Sequence, residues 1–486
     1  MSILEDAPKV LAPETGDAAA IDDLHAAFAA QRRAFAADRS PTLAERQSRV
    51  GKLIPMLLTN RARIADALAQ DFGAHPVGAS DLIEVLGVVG RAQYVLARME
   101  EWMRPQPREA DAALFGSGHA YLQLQPKGVV GNIVPWNFPF DLSVGPMIEM
   151  LAAGNRVIVK PSEFAPACAE LLAEMVRETF DPTLVHVTVG EHELARAFSA
   201  MPWDHLLYTG SPNVGRMVMA AAAPNLTPVT LELGGKCPAL MTPGSVTARN
   251  VESIVGTKII KNGQMCVSPD YALVPRADLG AFVDHARAFM ARVAPDYARG
   301  GEVTGIISLR HLDRLEALLQ DARDRQSQVV TLEANASSDR ATRRMPMSLV
   351  IDPALDLRLM EEEIFGPILP VVPYDDLGQA IERINAGERP LGLYVFGDDS
   401  AQTDRVIAQT HSGGVSVNAC ALQGALPSLG FGGSGMSGMG RHHGLEGFRE
   451  FSNPRGVVVR GEGDMIDAFY APYARASAIV DHLLAG

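Results

Sequence analysis

Apolar positions recur at helical spacing through the first hundred residues. Ile21, Leu24, Phe28 and Phe35 fall on one helical face, and Val50, Leu53, Ile54 and Leu57 continue it. Ser40-Pro41-Thr42 followed by Glu45 reads as a helix start: a cap, a proline in the first turn and a capping-box acid. The apolar stretch 82–103 predicts a long buried helix. From Val129 the rhythm changes to short β-rich runs at 129–134, 156–159, 184–189, 205–208 and 229–233. Alanine-rich or amphipathic stretches at 144–153, 166–179, 191–200 and 214–223 separate them. This alternation predicts an α/β fold with a parallel sheet covered on both faces, the Rossmann-like architecture. A second α/β stretch spans roughly 251–418, with a helix at 277–293, a strand at 392–396 and a run at 414–417. A glycine-rich loop, 430–440, and a tail with strand-like Val457-Val458-Val459 follow. No repeat or low-complexity linker interrupts the chain, which predicts interleaved domains.

Composition narrows the class. A chain of 486 residues predicts two or three domains, and 47% hydrophobic with 21% charged residues is ordinary for a globular enzyme. A net charge of −14 argues against a nucleic-acid partner, and no Lys/Arg block suits an anionic membrane. The 4 cysteines, Cys168, Cys237, Cys266 and Cys420, form no C-x-x-C pair and no zinc spacing, so no metal is expected and a reducing compartment is. Residues 1–10 carry Glu5 and Asp6 and no apolar core, unlike a signal peptide. No apolar run is long enough to span a bilayer. The expected location is the cytoplasm.

Five segments carry candidate chemistry, each with a plainer alternative. Cys266, in Asn262-Gly263-Gln264-Met265-Cys266, is either a small buried hydrophobe or a nucleophile, and the second requires surroundings that lower its pKa. Glu232 interrupts an apolar strand that ends in Gly234-Gly235; it either faces solvent or serves as a general base at the ligand edge of a parallel sheet. Trp136 and Asn137 follow the run 129–134, where an Asn amide suits a developing oxyanion and the flanking prolines suit a turn. Lys160 and Glu163 follow the next run, placed either to hold ribose hydroxyls or to form a turn capped by Ser162. Gly210, Ser211, Val214 and Gly215 lie on a strand-to-helix turn whose N–H groups would favour phosphate, or form a plain connection. The formal G-x-G-x-x-G match, Gly433 to Gly438, follows no strand of a βαβ unit and reads as a flexible active-site or interdomain loop.

The order of these segments resembles one family. Pro-Trp-Asn-Phe-Pro, Lys-Pro-Ser-Glu, Thr-Gly-Ser, Leu-Glu-Leu-Gly-Gly-Lys, Gly-Gln-x-Cys and Glu362-Glu363-Ile364-Phe365-Gly366-Pro367 appear in the order of the aldehyde dehydrogenase superfamily. Three further stretches are similar to its class 3 branch: Pro390-Leu391-Gly392-Leu393-Tyr394-Val395-Phe396, the run from Ser437 to Gly444, and Phe448 with Phe451-Ser452. The combination is most similar to bacterial coniferyl aldehyde dehydrogenases.

That resemblance implies a Rossmann-like NAD-binding domain from 1–110 and 128–231, an α/β catalytic domain from 232–429, and a small β oligomerisation element with bridging segments from 111–127 and 430–486. It implies that Cys266 attacks an aldehyde carbonyl while the Asn137 amide and the Cys266 backbone N–H hold the oxyanion. Hydride then leaves for the nicotinamide, and water activated by Glu232 hydrolyses the resulting thioester. Cofactor contacts implied in the same way are Trp136, Lys160, Glu163, Gly210, Ser211, Val214, Gly215, Glu363 and Phe365. Glu163 would bind the adenosine ribose hydroxyls and repel a 2′-phosphate, which favours NAD, with NADP as the alternative tolerated by class 3 relatives. The implied partners are a small-molecule aldehyde, aromatic or medium-chain, and further copies of the chain in a homodimer or homotetramer.

The sequence also departs from the family. Gly430 stands where Pro is usual before Phe431-Gly432-Gly433, Met265 stands where Thr is commoner, and Ala419 follows Asn418 where class 3 relatives often carry Asp. Residues 419–429 line the substrate tunnel of relatives, so these changes bear on which aldehyde is accepted. Within the family the alternative is an aliphatic- or semialdehyde-specific dehydrogenase, and two other functions compete: a cysteine-dependent esterase or thioesterase, and a catalytically silent binding homologue. The filled Cys266 and Glu232 positions argue against the silent homologue.

Overall fold

The computed structural model describes residues 17–333, 336–473 and 476–485. The reading of residues 1–10 lies outside them. The first helix, Ala18–Ala37, buries Leu24 and Phe28 and leaves Ile21 and Phe35 partly covered. The cap of the next helix, Leu43–Gly51, is Thr42 and not Ser40. The Thr42 side chain accepts from the Glu45 N–H while the Glu45 carboxylate accepts from the Thr42 N–H across 2.6 Å, and Pro41 stands outside the helix. The face from Val50 to Leu57 is split between this helix and Leu53–Thr59.

The stretch 82–103 forms one rod of two kinds. Ser80–Gly87 is a π-helix, which continues as the α-helix Val88–Met103. The expectation of a buried helix fails in the first part, where Leu82 and Leu86 are 67% and 49% exposed. Glu84 of this π segment lies on the buried side, where its carboxylate accepts from the Phe140 and Asp141 N–H groups.

Two parallel sheets and one antiparallel sheet organise the chain. The six-stranded sheet runs Gly438–Met439, Val229–Leu233, His205–Gly210, Val129–Ile133, Arg156–Lys160, Val185–Val187. All its pairings are parallel except that of Gly438–Met439. The strand Val229–Leu233 is continuous through Glu232, so the boundary expected at 231/232 falls inside a strand, and the chain leaves this sheet at Gly234. The seven-stranded sheet runs Gln328–Thr331, Ser348–Ile351, Ile368–Tyr374, Tyr271–Pro275, Pro238–Met241, Gly392–Phe396, Gly414–Val417, parallel but for its first edge strand. These central strands are buried on both faces, as parallel strands packed between helices must be. The third sheet joins Gln106–Arg108, His119–Pro126 and Ser452–Val459 in antiparallel order. It leaves Val458 and Val459 64% and 41% exposed on an edge strand. Among the described residues no helix is long and apolar enough to cross a membrane.

The run Gly433 to Gly438 forms a defined turn in place of a flexible loop. Ser434 and Ser437 cap one another around a short 3-10 turn, and Gly438 pairs with Glu232 in the sheet.

Candidate active site

Strand register gathers the candidates. Ile133 pairs with both Lys160 and Tyr208, and Thr209 pairs with Glu232, so four parallel strands of one sheet end at one level. Trp136, Asn137, Glu163 and Ser211 lie just beyond those ends, where open α/β sheets bind ligands. Gly234 to Cys237 then carry the chain into the start of Pro238–Met241 in the other sheet. Cys266 and Glu363 precede Tyr271–Pro275 and Ile368–Tyr374 of that second sheet. The ligand edge of one sheet therefore faces the entering edge of the other.

Glu232 does not face solvent. It is 2% exposed, and neither carboxylate oxygen has a hydrogen-bond partner in the protein. Burial pushes its carboxyl well above the ordinary carboxylate value; the Arg441 guanidinium opposes the shift and Glu450 adds to it. An unpartnered buried acid is costly for stability, which is the condition expected of a group held for proton transfer.

Cys266 stands apart from the other cysteines. Cys168 and Cys237 are 0% exposed and Cys420 is 6% exposed, whereas Cys266 is only partly buried. Its surroundings do not lower its pKa, against the requirement set by the sequence reading. Burial pushes the thiol well above its ordinary value, the Glu363, Cys237 and Glu232 side chains add to the shift, and its own backbone N–H pulls the other way.

Asn262 and Gln264 of the same pentapeptide build the turn before Cys266. Asn262 Oδ1 accepts from the Tyr297 hydroxyl across 3.0 Å. Gln264 Nε2 donates to the Lys261 and Gly305 carbonyl oxygens, each at 2.9 Å, and its Oε1 accepts from the Ile307 N–H at 3.0 Å. Asn137 is 3% exposed, and its Nδ2 donates to the Gln264 carbonyl oxygen across 3.0 Å. An amide nitrogen carries two hydrogens, and this bond to the loop that carries Cys266 uses one of them.

The candidate dinucleotide contacts come from the loops just past the strand ends and from the Glu363 segment. Lys160 is buried and donates to Glu163 Oε2 across 2.7 Å. Partial burial works to raise the Glu163 carboxyl, but the Lys160 ammonium prevails and holds it below the usual carboxylate range. Ser162 is not the expected helix cap. Its hydroxyl accepts from the Phe164 N–H, and the Asp71 carboxylate satisfies the helix start at Ala167 and Cys168. Ser211 caps Pro212–Ala222, with Gly210 before it and the Gly215 N–H closing onto its carbonyl at 2.9 Å. Val214 stands 43% exposed on that first turn. Trp136 meets the edge of Phe365 at 5.3 Å between ring centroids. Phe365 holds a left-handed φ of 50°, a strained state for a bulky residue. Glu363 packs so closely on Gly234 that any Cβ there would collide with its carboxylate. Burial, with Asp270 adding, raises the Glu363 carboxyl to about 8. A cleft of about 720 Å³ runs between the start of Pro212–Ala222 and the Glu363 segment, lined by Pro212, Asn213, Gly234, Gly235 and Glu363.

The sequence reading missed several residues here. His311 packs edge-on against Trp136 at 5.2 Å, and burial, with Arg314 and Arg310 adding, lowers it to about 4. Arg314 donates to the Glu363 and Ile364 carbonyls. Both lie on Leu309–Asp324, whose cap Ser308 before an amphipathic run was a readable signal. Lys236 and Asp270 form an ion pair that also bonds the Leu359 and Glu362 carbonyls and the Ile364 N–H, fixing the segment that carries Glu363.

The sequence pattern of the Aldehyde dehydrogenase family matches residues 12–457. The chain is 38% identical over 460 residues to a coniferyl aldehyde dehydrogenase of Pseudomonas sp., covering 94% of this chain and 95% of that one. It is 34% identical over 449 residues to aldehyde dehydrogenase family 3 member F1 of Arabidopsis thaliana, covering 91% of each. A solved Mycobacterium tuberculosis aldehyde dehydrogenase complexed with NAD+ superposes with a TM-score of 0.80 at 28% identity, covering 90% of both chains. The chain belongs to the aldehyde dehydrogenase family. It is an NAD(P)-dependent oxidoreductase that converts an aldehyde to the carboxylic acid, and class 3 enzymes are among its relatives.

Proposed function

We propose that Cys266 is the nucleophile, Asn137 the oxyanion donor and Glu232 the general base of this oxidation. The observation that supports the reading is the bond from Asn137 to the Gln264 carbonyl, which ties an amide with a second N–H to the loop that carries the one partly accessible thiol. Attack by Cys266 Sγ on the aldehyde carbon forms a thiohemiacetal whose oxygen meets the Asn137 amide and the Cys266 N–H. A nicotinamide, when bound, would supply the hydride acceptor, leaving the acyl group on Cys266 as a thioester. Glu232, unpartnered and with a raised pKa, then takes a proton from water for hydrolysis. Its burial also suits it to take the thiol proton at the start.

The residues beyond these strand ends, with Glu363 and Phe365, fit a dinucleotide. Lys160 and Glu163 would hold the adenosine ribose, the Ser211 turn with the N–H groups of Pro212–Ala222 would face the pyrophosphate, and Val214 would cover the adenine. Trp136, Glu363 and Phe365 would border the nicotinamide half, with Gly210 and Gly215 framing the turn. The carboxylate of Glu163, held ionised by Lys160, favours NAD over NADP.

The coniferyl aldehyde dehydrogenase relative supports an aromatic aldehyde as substrate. The exposed edge strand Ser452–Val459 supports assembly into a homodimer or homotetramer. Four unbridged cysteines support a cytoplasmic location. The test is kcat/KM for coniferyl aldehyde, benzaldehyde and an aliphatic series with NAD and with NADP. The highest value is expected for an aromatic aldehyde with NAD. Ester cleavage without aldehyde-dependent NADH formation would replace the reading with a hydrolase.

A further inference from the structure

Between the loop that carries Asn137 and the loop that carries Cys266 lies a buried ion pair that the reaction does not use directly. Lys261 and Glu84 are 3% and 0% exposed, and their charged atoms are 3.0 Å apart. The Lys261 ammonium also sits over the rings of Phe72 at 4.6 Å and Phe138 at 4.9 Å, and 3.5 Å from His75 Nε2. The second oxygen of Glu84 accepts from the Phe140 and Asp141 N–H groups, at 3.1 and 2.9 Å. One carboxylate therefore holds the backbone shortly after Asn137 on one side and the turn before Cys266 on the other.

That turn is held in an uncommon shape. Lys261, Asn262 and Gly263 have φ of 52°, 55° and 75°, three left-handed residues in succession. The Lys261 carbonyl receives both the Gln264 N–H at 3.2 Å and Gln264 Nε2 at 2.9 Å, so the position of Lys261 is passed directly to the residue that Asn137 grips. A buried charged pair is a poor source of stability compared with an apolar pair of equal volume. What it adds is direction, because each hydrogen bond fixes an atom in place.

We propose that Lys261 and Glu84 are positioning residues that set the Asn137 amide against the Cys266 thiol. The proposal rests on the roles given to Asn137 and Cys266 above. An oxyanion donor works over a few tenths of an ångström, and a misplacement of about 1 Å costs on the order of 100-fold in rate.

The test is the single-turnover burst of NADH from excess aldehyde and NAD+. Its amplitude counts active sites and its rate constant reports the hydride step per site. Lys261→Met and Glu84→Gln are expected to lower the per-site rate about 10- to 100-fold with KM for NAD unchanged, and Lys261→Arg to recover part of the loss. In an Asn137→Ala background, Lys261→Met is expected to cost little more, because the pair acts through that amide. Per-site rates equal to the unmodified enzyme, with only a lower Tm or amplitude, overturn the proposal, as do fully additive losses. If the Met and Gln variants do not fold, Lys261→Arg carries the test, and an unchanged per-site rate there overturns it. An unchanged rate in Asn137→Ala alone removes the underlying reading instead.

Discussion

The side-chain nitrogen of Asn137 donates to the carbonyl oxygen of Gln264 across 3.0 Å, joining residues 127 positions apart on the two faces of the site. The same amide is therefore both a tie and a donor. Asn137→Ala should lower kcat/KM by about 10²- to 10³-fold, the usual cost of one oxyanion donor. Steady-state kinetics check this, and a loss confined to KM for the cofactor would speak against the assignment.

Glu232→Gln should separate the two halves of the reaction. The hydride step needs no water, so one equivalent of NADH should appear, followed by turnover slowed about 10²- to 10⁴-fold as thioester accumulates. Rapid-quench measurement of burst amplitude against steady-state rate decides it. Equal slowing of both phases would instead give Glu232 its main role in removing the thiol proton.

The raised carboxyl of Glu232 fixes the sense of the pH dependence. Protonation removes the base, so thioester hydrolysis should fall as pH drops through its folded-state pKa. That limb should lie above the ordinary glutamate value of about 4.3. It should vanish in Glu232→Gln. A limb at the ordinary value would mean that bound substrate opens the site to water.

Cys266 should be a slow thiol in the absence of substrates. Its iodoacetamide alkylation should rise with pH through a midpoint above that of a free thiol, since burial and the Glu363 carboxylate disfavour the thiolate. Glu363→Gln should move the midpoint down. Rapid alkylation at neutral pH would show a thiolate already formed.

Glu163→Gln should relax cofactor choice. Removing the carboxylate that would face a 2′-phosphate should raise kcat/KM for NADP relative to NAD by about tenfold, the scale of a modest like-charge clash. No change in the ratio would move the discrimination elsewhere in the cleft.

Much of this site was readable because its parts are local. Val229–Leu233 was legible residue for residue from its apolar run, and with it the unusual Glu232. The places of Asn137 and Glu163 just past parallel strands were legible from the β-rich runs before them. What could not be read depends on partners distant in sequence. Glu84 meets Lys261 across 177 positions, and the antiparallel partner of Glu232 is Gly438. The π turns at Ser80–Gly87 leave no distinct period in a short apolar stretch, so Leu82 looked buried. Thiol acidity depends on surroundings that a pentapeptide does not carry, so the lowered pKa required for a nucleophile could not be read there, and burial in fact raises it.

The central claim is that Cys266 carries the substrate as a thioester. The most direct measurement is mass spectrometry of the acid-quenched Glu232→Gln enzyme after one turnover with aldehyde and NAD+. The account predicts an acyl adduct on the peptide containing Cys266 and none in Glu232→Gln/Cys266→Ala. Sustained aldehyde-dependent NADH formation by Cys266→Ala, or an adduct on a different residue, would contradict it.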